Sequence, residues 1–123
     1  MNTVTPSHGK LQKYRVYFEP VEVKRSLELL QARFESASIF QGDGLWAGQF
    51  EKVTVFEIHT VLEAGYIEAF AEEIRALNGQ ASVRVTMESL TVIDINSNAQ
   101  AHANAPDVSY PLEHKVANPF FDV

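Results

Sequence analysis

The sequence predicts an α+β protein in which two helices cover one face of an antiparallel sheet. Three observations carry that expectation. Apolar residues alternate with period two in "KYRVYF", "EKVTVFEIHT" and "QASVRVTMESLTVIDI", and recur at spacings of three and four in two segments between them. The prolines, at positions 6, 20, 106, 111 and 119, leave residues 21–105 free for uninterrupted regular structure. The order of the segments is strand, helix, strand, strand, helix, strand.

In the first strand Tyr14, Val16 and Phe18 point one way and Arg15 and Tyr17 the other, and Glu19-Pro20 closes it. Val23, Leu27, Leu30 and Phe34 then form one helical stripe, with Glu22, Lys24, Arg25, Glu28 and Arg33 turned to water. "SASIF" reads as the second strand. The third has two apolar faces, Val53 and Val55 on one and Thr54, Phe56 and Ile58 on the other, which suits a central strand buried on both sides. Ile67, Phe70, Ala71, Ile74 and Leu77 form the core stripe of the second helix, and Asn78-Gly79 stops it. In the last strand Ala81, Val83, Val85 and Met87 oppose Ser82, Arg84 and Thr86. The alternation persists through Leu90, Val92, Ile93 and Ile95, either past a bulge near Glu88-Ser89 or as an extra C-terminal strand. This order is the ferredoxin-like βαββαβ signature, with the first and third strands central.

The expected organisation is a flexible arm over residues 1–12, the ferredoxin-like domain over 13–95, a linker over 96–107 and a tail over 108–123. The linker, "NSNAQAHANAP", is too poor in apolar area to offset its ordering entropy. The tail regains apolar anchors in Tyr110, Leu112, Phe120 and Phe121, the pattern of a short recognition peptide or of a segment folding back on a sheet.

The chain has 123 residues, enough for one domain with a real core. It has no cysteine, which excludes disulfides and thiolate metal sites. No run suggests a signal peptide or a membrane span, so a soluble, cytoplasmic protein is expected. The net charge is −6, from 10 basic and 16 acidic residues, and the basic residues are scattered. Backbone binding to nucleic acid needs a basic stripe, so this pattern argues against it.

"FQGDGLWAGQFEKVTVFEI" holds the candidate site signals. Gly42, Gly44 and Gly48 do not match a dinucleotide fingerprint, which needs another spacing and a following helix, and no Gly-Lys-Ser/Thr is present. Gly42, Asp43 and Gly44 read as the corner of a bulged hairpin, with a phosphate-type ligand site there as the alternative. Trp46 and Phe50 beside it read as contact residues.

Glu57 and His59 share one face of the third strand. Arg15 and Tyr17 lie on the matching face of the first, and Arg84 with Thr86 on that of the last. If the helices cover the other side, these residues gather on the open face. An interface is expected there, with acid–base work by His59, Glu57 and Arg84 as the alternative. His8, His59, His102 and His114 show no ligand spacing, and no serine or threonine sits in a nucleophile elbow. No metal, cofactor or catalytic residue is therefore expected.

"LWAGQFEKVTVFEI" resembles the central hairpin of the small CutA-type trimeric proteins, through Trp46, Gly48 and Glu51, and the element order is similar to theirs and to that of the PII signalling proteins. The resemblance implies a ferredoxin-like shape, trimerisation and ligand clefts between subunits near Gly42–Gly48. The CutA-type cysteine is missing, "NGQASV" replaces its His-Pro-Tyr-rich segment, and no PII-like nucleotide loop is present, so no metal role carries over. Together these readings point to a small acidic non-enzymatic regulator, adaptor or inhibitor. It would self-associate through its sheet as a dimer or trimer and bind a protein partner through its acidic surface or tail. A PII- or CutA-like nucleotide or metabolite sensor is the alternative.

Overall fold

The computed structural model describes residues 4–97, with side chains from residue 9 onward. The elements are β1 (Val4–Phe18), α1 (Val23–Arg33), β2 (Ser38–Trp46), β3 (Gln49–Thr60), α2 (Ala64–Leu77) and β4 (Arg84–Ser97). The four strands form one sheet in the order β2-β3-β1-β4, so β1 and β3 are central. β3 runs antiparallel to both β1 and β2. This is the ferredoxin-like arrangement that the element order implies.

By its contacts the chain divides into two units, Leu11–Leu90 and Met1–Lys10 with Thr91–Val123. The described parts of the second unit, residues 4–10 of β1 and 91–97 of β4, are extended strand. β1 therefore begins at Val4, inside the segment read from sequence as a flexible arm. β4 passes unbroken through Glu88-Ser89, so residues 90–95 continue that strand and do not start a fifth.

In the larger unit the core follows the alternation. Tyr14, Val16 and Phe18 of β1 pair with Ile58, Phe56 and Thr54 of β3, and all six are buried. Leu27 and Leu30 of α1 and Ile67, Phe70 and Ile74 of α2 are buried too, as amphipathic helices on one sheet face require. Burial of each such aliphatic or aromatic side chain contributes about 1.5–3 kcal/mol. Phe56 meets Phe18 edge-on at 4.9 Å, and Phe70 meets Phe34 at 5.0 Å.

α1 departs from its expected stripe in one respect: Val23 is exposed and Ser26 is buried. The cause is Asn78 at the end of α2, also buried. Its Oδ1 accepts from the backbone N–H groups of Val21 (3.0 Å) and Glu22 (2.8 Å). Its Nδ2 donates to Ser26 Oγ (3.0 Å) and to the Ile74 carbonyl (2.9 Å). Glu22 makes no side-chain cap of its own, so a residue from the other helix satisfies the start of α1. α2 itself ends as expected: Gly79 has φ +64°, with Gln80 N donating to Arg75 O and Gly79 N to Ala76 O.

The hairpin differs from the expectation. Pairing runs from Ser38↔Glu57 to Trp46↔Gln49 without a skipped residue, so there is no bulge. Gly42, Asp43 and Gly44 lie within β2, opposite Val53, Lys52 and Glu51. The corner is Ala47-Gly48, whose φ angles of 49° and 78° make a two-residue turn of the kind that matches strand twist. Gly48 supplies the positive φ; Gly42 and Gly44 are not in that conformation.

Candidate interaction face

The register of the central strands determines the open face of the sheet. Lys13 stands opposite His59, Arg15 opposite Glu57, and Tyr17 opposite Val55. β2 continues two of these rows, Ser38 beside Glu57 and Phe40 beside Val55. The face thus has a charged end and an apolar end. At the apolar end Tyr17, Val55 and Phe40 form one row across three strands, with Val53 beside Gly42 next to it.

At the charged end Glu57 is the hub, with a side chain only 13% exposed. Arg15 Nε donates to Glu57 Oε1 at 2.6 Å, and His59 Nε2 lies 3.1 Å from Oε2. Lys13 Nζ stands 3.9 Å from Glu57 Oε1 and 2.9 Å from Glu88 Oε1. Burial by itself pushes the Glu57 carboxyl up. The hydrogen bond and charge of Arg15, the bond to His59 and the charge of Lys13 outweigh burial and hold the carboxyl below its usual range. The bond to Glu57 in turn raises Arg15. Lys13 lowers Glu88 by its hydrogen bond and charge.

As placed, Glu57 is poorly suited to act as a general base. A general base needs a free lone pair and an acidity matched to its task. Glu57 has both oxygens engaged and is a weakened proton acceptor. Among the described residues no group of three His, Cys, Asp or Glu side chains is placed to hold a metal ion. Among the described residues no helix is long and apolar enough to cross a membrane.

The sequence-predicted residues separate into six groups. Arg15, Glu57 and His59 meet in one ion-pair cluster. Tyr17 is on the same face in the apolar row, and its hydroxyl also lies against Arg15. Arg84 is exposed, shares the face of Glu88 by strand alternation, and makes no ion pair with the described residues. Trp46 and Phe50 stand at the hairpin tip, 69% and 81% exposed. Gly42, Asp43 and Gly44 are paired strand and form no loop, and Asp43 is held by Lys52 Nζ at 2.8 Å. Tyr110, Leu112, Phe120 and Phe121 lie outside the described residues. Sequence reasoning missed Lys13, Glu88, Phe40 and Val55. The period-two rule carries the signal for Lys13 and Val55, which share a parity with Arg15 and Glu57.

The sheet order, the paired helices and the open face define a ferredoxin-like α+β fold. No family model and no curated protein sequence matches the chain. Solved structures share its fold. A phage SAM lyase in complex with S-methyl-5′-thioadenosine matches with a TM-score of 0.51 and 19% identity, over 71% of this chain and 88% of the lyase. CPII, a nitrogen regulatory PII-like protein from Thiomonas intermedia K12, matches in its apo form with a TM-score of 0.53 and 12% identity, over 73% of this chain and 99% of CPII. The same protein bound to ADP, AMP and bicarbonate matches with a TM-score of 0.52 and 12% identity, over 70% and 96%. At these identities the likeness is one of fold.

Proposed function

We propose that the chain is a small non-enzymatic regulator that self-associates through the open face of its sheet and acts by binding another protein. The amphipathic layout of that face carries the reading: a satisfied charged cluster around Glu57 beside the apolar row Tyr17–Val55–Phe40. Charged pairs fix register and exclude wrong partners, while apolar rows supply the affinity. The PII-like architecture of CPII, described as nitrogen regulatory, supports a regulatory role. Val55→Asp tests the assembly, because it puts a charge into the apolar row without touching the buried face. Sedimentation equilibrium is expected to give a wild-type mass of several subunits and a lower mass for the variant. Equal masses would sink the reading.

A second reading is a sensor of an adenosine-containing ligand. It is favoured by the ligands in the similar structures, ADP and AMP on CPII and S-methyl-5′-thioadenosine on the lyase. Thermal shift with each of the three compounds tests it. A stabilisation that grows with ligand concentration is expected, and no shift with any of them removes the reading.

A further inference from the structure

Among the described residues β2 is an edge strand, with β3 as its one neighbour in the sheet. Edge strands are ordinarily protected by lysines, prolines, bulges or shortness, because their outward N–H and C=O groups are a template for another strand. β2 has none of these, and its single charged side chain, Asp43, is already paired with Lys52. Its nine residues, "SIFQGDGLW", contain no lysine, arginine or proline, and none of the nine is buried. Its register with β3 has no bulge.

The strand is also self-complementary about Gly42. We propose that β2 pairs with β2 of a second copy, antiparallel and centred on Gly42, so that one sheet runs through both subunits. In that register Phe40 lies across from the partner's Gly44, and the reverse pair repeats it. A bare glycine backbone beside an aromatic ring is a favourable cross-strand pair. Neither glycine is required by its own subunit. Gly42 and Gly44 do not have positive φ, a Cβ at Gly42 would meet nothing within 4 Å, and one at Gly44 would meet Glu51 O and Val53 at an ordinary 3.8 Å. On the other face Ile39 meets the partner's Leu45, whose side chain is 64% exposed in the single subunit. The Gln41 amide reaches the partner's Asp43 carboxylate, the one charged group in β2.

Neighbouring registers lose the Ile39–Leu45 and Gln41–Asp43 pairs, although those centred on Gln41 and Gly44 still set an aromatic ring against a glycine. Centring on Asp43 sets the two Asp43 carboxylates against each other, and centring on Gln41 sets Ile39 against the partner's Asp43. Centring on Gly44 sets Asp43 against the partner's Leu45. The proposal uses the edge of the sheet and goes beyond the open-face reading, which uses the face.

The natural chain has no cysteine, so one substitution reports one contact. Gly42→Cys puts the two thiols across the two-fold axis, with Cα atoms about 4.5–5.5 Å apart, within disulfide reach. Mild oxidation is expected to give a covalent dimer on a non-reducing gel. Ser38→Cys is expected to stay monomeric, because its copies lie eight positions apart, about 26 Å along the strands. Cross-linking at residue 38 instead, or at neither, overturns the proposal; pairing of β2 with the chain's own C-terminal segment would leave both variants monomeric. Gln41→Lys, facing the partner's Asp43, is expected to tighten the dimer, and Gln41→Asp to weaken it, each by about tenfold in Kd. A shift of both in the same direction also overturns it. Repeating the cross-link in the Val55→Asp background separates failure of this edge contact from failure of the open-face assembly.

Discussion

Asn78 ties the start of α1 to the end of α2 through three of its four side-chain hydrogen bonds, and its removal should be felt across the larger unit. Asn78→Leu keeps the approximate size but leaves the Val21 and Glu22 N–H groups without the oxygen that accepts from them. Ile74 O still accepts from the backbone N–H of residue 78, and Ser26 Oγ still donates to Glu22 O, so those groups lose less. Two orphaned donors at about 1–1.5 kcal/mol each, with a smaller loss at Ser26, give about 2–4 kcal/mol. For a domain of this size that lowers the melting temperature by roughly 10–20 °C. Asn78→Asp keeps both accepted bonds and should lose about half as much. Urea unfolding of the three proteins checks the series. The Asn78→Ala, Ser26→Ala double-mutant cycle should show coupling, because the two side chains bond each other. If Asn78→Leu fell within about 0.5 kcal/mol of wild type, below the cost of even one orphaned buried donor, the joint would not be what holds α1 to α2.

Three further expectations follow from single residues. Glu57 has a folded-state acidity below its ordinary value, so its contribution is complete above the unfolded pKa and is lost as pH falls through the folded one. Wild type should therefore lose more stability than Glu57→Gln between about pH 5 and pH 3, read by urea unfolding at each pH. Thr54 is buried and its hydroxyl has no partner among the described residues, so Thr54→Val should be neutral or stabilising by about 1 kcal/mol, and a clear loss would reveal an unseen partner. Ala47 sits at φ 49° beside Gly48 in the hairpin turn, so Ala47→Asn should stabilise by about 0.5–1 kcal/mol and Gly48→Ala should destabilise, both visible in the melting temperature.

Most of the fold was legible because its cause is periodic. Tyr14, Val16 and Phe18 or Ile67, Phe70 and Ile74 state their buried face locally, and the central position of β3 follows from its two apolar faces. Once β1 and β3 are central neighbours, the meeting of Arg15 with Glu57 follows from parity. The hairpin corner was misplaced for a specific reason. Glycine signals conformational freedom without saying whether it is used, and Gly42 and Gly44 do not use it while Gly48 does. The Asn78 joint was illegible because its partners lie 52 to 57 residues away, and the sequence at Asn78-Gly79 already had a sufficient explanation as a helix stop. Lys13 is hard to place from sequence because the clear alternation of "KYRVYF" begins at it, whereas β1 begins at Val4.

The open face of the sheet, proposed above as an interface, can be tested directly. Tyr17 is its best reporter, since it lies in the apolar row on a central strand and the edge pairing of β2 leaves it open. Hydroxyl-radical footprinting of Tyr17, across a dilution series followed by mass spectrometry, measures this directly. Oxidation of Tyr17 should be suppressed in the concentrated protein and rise on dilution, and more so in Val55→Asp. Oxidation that is the same at every concentration and in both proteins would contradict the account.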